Sequence, residues 1–181
     1  MNLQLLIIAI VVIAVLLYLY NSIIIAKLRV SESLSHIDVQ LKRRADLIPN
    51  LVEAVKGYAK HEKELFEKVT KERANLVSAK SMEEKAKVNN QLTETFKSIF
   101  AVAEAYPALR ASENFQKLQE EVSDTENKIA YARQFYNSNV LNYNTKLRVF
   151  PNVLFAKLLN FKQAEFFGAT EAEKKEVKIS F

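Results

Sequence analysis

The chain has no cysteine, and among its 181 residues only Gly57 and Gly168 are glycine and only Pro49, Pro107 and Pro151 are proline. Without cysteine there is no disulfide framework, thiolate zinc site, iron–sulfur cluster or thiol nucleophile. Two glycines far apart in sequence cannot assemble a phosphate-cradling loop, which removes P-loop and dinucleotide-binding readings. Strand-rich folds need frequent turn residues, so this scarcity of breakers predicts few, long, helical elements. The length leaves room for one compact domain and one short accessory element.

Histidine is almost as scarce. His61-Glu62 begins the H-E-x-x-H pattern that sets two imidazoles one turn apart on a metal, but position 65 is leucine. His36, the other histidine, follows Ser33 where an E-x-x-H carboxylate–metal site needs glutamate. The serines form no nucleophile elbow. These absences predict no catalytic residue, no metal and no cofactor, and hence a protein that is not an enzyme. The net charge is +5, yet lysines and arginines alternate with glutamates along most of the chain. That pattern is a solvated helix surface and excludes a nucleic-acid-binding block.

What is abundant is aliphatic bulk at the N-terminus. From Leu3 to Ile25 no Asp, Glu, Lys or Arg occurs, and at 1.5 Å per residue the run spans about 34 Å, enough for a hydrocarbon layer of about 30 Å. A cleaved signal peptide needs a basic n-region, a shorter apolar stretch and a small-residue cleavage site; a core helix needs a polar stripe. The run has none of these, so it reads as a retained single-pass anchor over residues 1–26. Lys27, Arg29, Lys42, Arg43 and Arg44 follow it. Positive flanks stay inside, which places the N-terminus outside and the downstream domain in the cytoplasm. Lys27 and Arg29 are the candidates to reach lipid headgroups.

Downstream, apolar residues recur at steps of three and four. Ile48, Val52, Val55, Ala59, Phe66 and Val69 predict an amphipathic helix from about Pro49 to Ala79. Asp46 to Pro49 is a tight turn or a kink before it, with the turn favoured. Ser81 and Glu84 resemble a capping box that opens a helix with core residues Val88, Leu92, Phe96, Ile99 and Ala103, closed by Tyr106-Pro107. The longest element is expected from about Ser112 to Phe150, on a seam of Phe115, Leu118, Val122, Thr125, Ile129, Ala132, Tyr136, Val140, Tyr143, Leu147 and Phe150. The fold class is all-α: an N-terminal transmembrane helix followed by an antiparallel up-and-down bundle of three to four long helices over residues 27–167. Residues 168–181 read as a flexible charged tail.

One position after each seam residue runs a mostly polar line that includes Glu126, Arg133, Asn137 and Asn144. Buried members need partners, so Glu62, Arg73 and Glu104 on facing helices complete a candidate structural polar network; exposed edge positions are the alternative reading. Arg133 is expected to be half-buried and bonded to Glu104 or Glu62, with Glu126 a weaker partner on its own helix.

The stretches RRADLIPNLVEAVKGYAKHE (43–62) and AEAYPALRASENFQKLQEEVSDTENKIAYARQFYNSNV (103–140), with Tyr143-Asn144 and Phe150-Pro151, resemble the LemA family. The resemblance implies a bacterial inner-membrane protein with a cytoplasmic helical bundle and no established activity or cofactor. It also implies association with a protein partner, an HtpX-like membrane protease or a second copy of the chain, in a scaffolding role. The alternative is a device of the membrane surface. There the juxtamembrane basic residues bind anionic lipid, and an amphipathic segment over residues 150–167 lies on the bilayer, with Phe150, Val153, Leu154, Leu158, Phe161, Phe166 and Phe167 as its apolar bulk and Lys157 and Lys162 between them.

Overall fold

A computed structural model describes residues 3–59 and 61–168. Among the described residues every regular element is a helix: α1 (Leu3–Lys56), α2 (Lys63–Ser78), α3 (Met82–Glu104), α4 (Pro107–Arg110), α5 (Glu113–Arg148) and α6 (Asn152–Leu158). They form two compact units, residues 3–35 with 134–165 and residues 36–133 with 166–168, and α1 and α5 contribute to both. Of the expected charged tail, all but Gly168 lies outside the described residues.

The expected turn at Asp46–Pro49 is absent, because α1 continues through Pro49 to Lys56. Proline has no N–H for the carbonyl four residues back and costs a helix interior about 3 kcal/mol. Two features offset that cost. Ile48, Leu51 and Val55 are buried on the same stretch, each contributing roughly 1.5–3 kcal/mol of apolar burial. The carbonyl that Pro49 leaves without its helical donor belongs to Ala45, and Arg73 Nε of α2 donates to it at 3.0 Å. The single helix expected from Pro49 to Ala79 is accordingly two helices, broken at Gly57. There the helix loses the favourable propensity of a residue with a side chain, and Gly57, Tyr58 and His61 are exposed, so the buried Ala59 alone contributes little apolar burial against the loss.

In the unit built from residues 36–133, α2 runs back along α1 and connects through Ala79–Ser81 to α3. The capping box is formed: the Glu84 N–H donates to Ser81 Oγ at 3.1 Å, and Glu84 Oε2 accepts from the backbone N–H groups of Ser81 (3.2 Å) and Lys80 (2.9 Å). Val88, Leu92, Phe96, Ile99 and Ala103 are all buried, as their spacing predicts. Lys85 meets Asp38 at 2.6 Å and Arg44 meets Asn89 at 2.6 Å, so α3 runs parallel to α1. After Tyr106-Pro107 the chain reverses through α4, and the Phe100 and Phe115 rings meet edge to face at 6.1 Å as α5 starts back. The result is the antiparallel up-and-down bundle. The seam of α5 is buried from Phe115 to Leu147 except at half-exposed Leu118 and Ala132, while Phe150, expected at its end, is exposed.

In the other unit α1 exposes its apolar side chains on all sides from Leu3 to Tyr18, and the apolar run to which this stretch belongs is long enough to cross a membrane. Its last turns join a small core in which Ile23 and Ala26 pack with Tyr143, Leu147 and Ala156. Beyond α5 the chain turns at a cis Phe150–Pro151 peptide, forms α6, and returns along α5 as an irregular segment. With no ladder of its own, that segment borrows partners from α5. Asn144 accepts the Ala164 N–H and donates to the Ala164 carbonyl, both at 2.9 Å. The hydroxyls of Tyr143 and Tyr136 donate to the carbonyls of Lys162 (3.0 Å) and Glu165 (2.9 Å).

Candidate functional site

The most polar part of the 36–133 unit surrounds a residue that the sequence placed among the basic flanks. Arg44 is fully buried. Its neighbours on the α1 core stripe are Leu41, Ile48, Leu51 and Val55, and the steps 41, 44, 48, 51, 55 form an unbroken three–four pattern. That step pattern is the signal that could have found it.

Burying a guanidinium costs several kcal/mol unless its donors are met. One Nη donates to Asn89 Oδ1 at 2.6 Å and the other to Thr93 Oγ1 at 3.0 Å. Thr93 is free to accept because its own hydroxyl donates to the Asn89 carbonyl at 3.2 Å. The guanidinium carbon lies 5.1 Å from the Phe96 ring centroid, within cation–π range. Glu126 Oε2 stands 3.9 Å away, but its side chain is half-exposed, so water screens the pair and the hydrogen bonds dominate. Burial lowers the Arg44 pKa and the Glu126 charge opposes the shift; arginine nonetheless remains charged. Arg44 Nε has no partner among the described residues.

Beside this arginine is a cleft of about 210 Å³ shared by Arg44, Thr93, Glu94, Glu126 and Arg133. Two cations and two carboxylates line it. It is smaller than the roughly 300–1,000 Å³ of ordinary ligand pockets. Among the described residues no group of three His, Cys, Asp or Glu side chains could hold a metal ion. The arrangement fixes a cation between helices; it does not present a nucleophile next to a base.

The sequence candidates are distributed as follows. Glu126 and Arg133 border the Arg44 cleft. Arg133 is half-buried, with its guanidinium 5.3 Å from the Phe167 ring centroid, and among the described residues it forms no ion pair with Glu104 or Glu62. Gly168 lies beside it with φ at +70°, a conformation that a residue with a side chain rarely adopts, and a Cβ there would lie 2.6 Å from the movable Arg133 Nη2. Glu62 caps the start of α2 through its backbone, Glu104 is exposed at the end of α3, and Arg73 serves the Ala45 carbonyl. Asn144 belongs to the other unit and holds the returning segment, and Asn137 is half-buried there. Lys27 and Arg29 are exposed, with Lys27 Nζ 6.0 Å from the Phe161 ring centroid. The candidates thus serve several local tasks, and the residue at the centre of the polar core is Arg44.

A model of the LemA family matches residues 33–181, beginning within α1 beyond the apolar run. Among curated proteins the chain is similar to Magnetosome protein MamQ 2 of Paramagnetospirillum magneticum, at 23% identity over 86% of this chain and 66% of that protein. Magnetosome protein MamQ of Magnetospirillum gryphiswaldense is 22% identical with the same coverage. Protein LemA of Metamycoplasma hominis is 25% identical over 77% of this chain and 64% of that protein. The chain spans just under two thirds of the length of these relatives.

Proposed function

The chain belongs to the LemA family, and from that premise we propose that it is a non-enzymatic membrane scaffold: a single-pass anchor that presents a cytoplasmic helical bundle to a protein partner. The observation that carries this reading is the continuity of α1. The helix whose first half exposes apolar side chains on every side is the same helix whose second half buries Ile37, Leu41, Arg44, Ile48, Leu51 and Val55 in the bundle. The anchor thus continues as one helix into a core element of the bundle, which suits tethering rather than turnover of a diffusing substrate. The buried Arg44 is met by Asn89 and Thr93 between helices, which supports a structural use of that polarity.

The partner class favoured by the family resemblance is an integral membrane protease of the HtpX type or a second copy of the chain. Photo-crosslinkers placed at exposed bundle positions such as Tyr131, in membranes where the full chain is abundant, should yield one reproducible adduct resolved by mass spectrometry. Failure to obtain one from several faces of the bundle refutes the scaffold reading. Sidedness is tested separately: Ala111→Cys, in a chain with no other cysteine, should resist an impermeant thiol reagent in intact cells and react after lysis. Reaction in intact cells reverses the topology.

A further inference from the structure

Phe150, Leu154 and Leu158 are 79%, 59% and 80% exposed. Leu154 and Leu158 are one four-residue step apart, which keeps them on one face of α6, and Phe150 stands exposed just ahead of that helix, before its N-cap Pro151. The opposite face of α6 carries Asn152 and Ala156, both buried. Of the apolar residues expected to line residues 150–167, the structure therefore withdraws some: Phe161 and Val153 are half-buried and Phe167 is buried. What remains exposed along α6 is a short row of large apolar side chains on one face, the kind of patch that marks an interaction surface.

The height of that row along α1 is set by contacts within the same unit. Ala156 shares a core with Ile23 and Ala26. Lys146 Nζ donates to the Ser22 carbonyl and hydroxyl oxygens at 3.3 and 2.8 Å, and Lys27 lies over the Phe161 ring. All of these α1 positions fall in the last turn of the apolar run or just beyond it. Since about 20 residues fill a 30 Å hydrocarbon layer, a span starting near Leu3 reaches the headgroups at this point. The corner between α5 and α6 is then level with the boundary between headgroups and acyl chains, where amphipathic surfaces settle about 5–10 Å deep.

Charge favours the same occupant. This unit holds six basic residues, Lys27, Arg29, Lys146, Arg148, Lys157 and Lys162, against Glu32 and Glu165, so its charge of +4 is most of the chain's +5. A second copy meeting this face would bring like charge against like charge. Anionic headgroups complement it.

We propose that the α5–α6 corner is a membrane foot: Phe150, Leu154 and Leu158 enter the leaflet from which α1 emerges, while the surrounding lysines and arginines engage anionic headgroups. This inference rests on the anchored reading of α1, and its test separates the two. The full-length chain has no cysteine, so single-cysteine variants Leu154→Cys, Leu158→Cys, Ser138→Cys and Ile13→Cys can each carry one environment-sensitive fluorophore in liposomes of mixed zwitterionic and anionic phospholipid. Labels at 13, 154 and 158 should be quenched severalfold more strongly by spin-labelled lipid than the label at 138, and the label at 138 more strongly by aqueous iodide. Lipid quenching at 13 with iodide quenching at 154 and 158 overturns the foot and leaves the anchor. No lipid quenching at 13 overturns the anchor itself. Shielding of 154 and 158 from both quenchers means that protein covers the row, and overturns the proposal. In purely zwitterionic liposomes, lipid quenching at 154 and 158 should fall severalfold while that at 13 holds; no fall overturns the headgroup part.

Discussion

Arg73 can be tested as the replacement donor for the carbonyl that Pro49 leaves unbonded. In the wild type Ala45 O has no helical partner, and Arg73 Nε meets it at 3.0 Å. A hydrogen bond from a charged donor contributes about 1.5–3 kcal/mol, and leaving a shielded carbonyl unpaired costs about 1–3 kcal/mol. Arg73 is half-buried, so a loss near the low end of those ranges, about 2 kcal/mol, is expected for Arg73→Met, which keeps most of the aliphatic stem. Pro49→Ala restores an N–H within reach of Ala45 O. It should itself stabilise the helix by up to about 3 kcal/mol, the interior cost of proline, less the entropy that proline removes from the unfolded chain.

The informative quantity is the coupling. In the Pro49→Ala background Ala45 O is already satisfied, so Arg73→Met should cost under about 1 kcal/mol, giving an interaction energy of about 1–1.5 kcal/mol. Thermal unfolding of the four full-length proteins in lipid nanodiscs, followed by far-ultraviolet circular dichroism, reads it out. At about 2–8 °C per kcal/mol for domains of this size range, the melting-temperature loss from Arg73→Met should shrink by several degrees when residue 49 is alanine. Equal losses in both backgrounds refute the argument, because Arg73 would then act through something other than the vacated carbonyl.

The buried and the half-buried arginine should behave differently. Arg44→Met strands Asn89 and Thr93 and should cost about 3–5 kcal/mol, while Arg133→Ala, which loses a Phe167 ring contact and no ion pair among the described residues, should cost about 1 kcal/mol or less; equal costs in the same melts would contradict the burial of Arg44. Replacing Arg44 and Asn89 together by leucine should recover much of the Arg44 loss, since an apolar pair of fitting volume carries no desolvation cost; a double variant worse than Arg44→Met would refute this. Ser81→Ala should cost about 1 kcal/mol through the lost cap, detected as a lower melting temperature. The Glu84 carboxyl is held below its ordinary pKa, first by the Lys80 and Ser81 backbone N–H groups. Its contribution is therefore present above the unfolded carboxylate pKa and vanishes as pH falls through the folded one, so the wild type should lose its advantage over Glu84→Gln in acid; an advantage that grows in acid would reverse the sign. Burial raises the Tyr143 phenol pKa. That stability is complete below the unfolded tyrosine pKa and lost as pH rises through the folded one, so Tyr143→Phe, costing about 1 kcal/mol at neutral pH, should unfold less steeply in alkali than the wild type.

How much of this was legible in the sequence depends on how far away the deciding partner sits. The apolar run, the Ser81–Glu84 box and the α3 face are local patterns, set by hydropathy and by groups within one helical turn, and each lies where its spacing puts it. The path through Pro49 depends on Arg73, 28 positions from the Ala45 carbonyl it serves. No local rule can supply that donor, so proline's own preference for a turn dominated the reading. The break at Gly57 is illegible for the complementary reason. The apolar stripe continues in phase across it from Val55 to Ala59 and Phe66, all buried, and periodicity alone cannot see a break that preserves phase. Arg44 was hidden by its charge: three neighbouring basic residues read naturally as a membrane flank, although only the third lies on the core stripe.

Helix register gives a reason for an arginine on that stripe. An apolar seam that repeats over several heptads permits helices to slip by a turn or a heptad at little cost, because leucine meets leucine in either register. Arg44 removes that degeneracy. Its donors meet Asn89 Oδ1 and Thr93 Oγ1 together where α1 and α3 stand as they do, and in a register slipped by a heptad the guanidinium would face Ala86 or Phe96 without an acceptor, at a cost of several kcal/mol. The leucine pair at 44 and 89 would restore burial energy but not this selectivity. Its stability should recover while its bundle samples more than one packing, visible as broadened or doubled methyl resonances where the wild type gives single ones. Single sharp resonances from that variant would mean that shape complementarity at Phe96, Ile99 and their neighbours already sets the register, leaving Arg44 without this role.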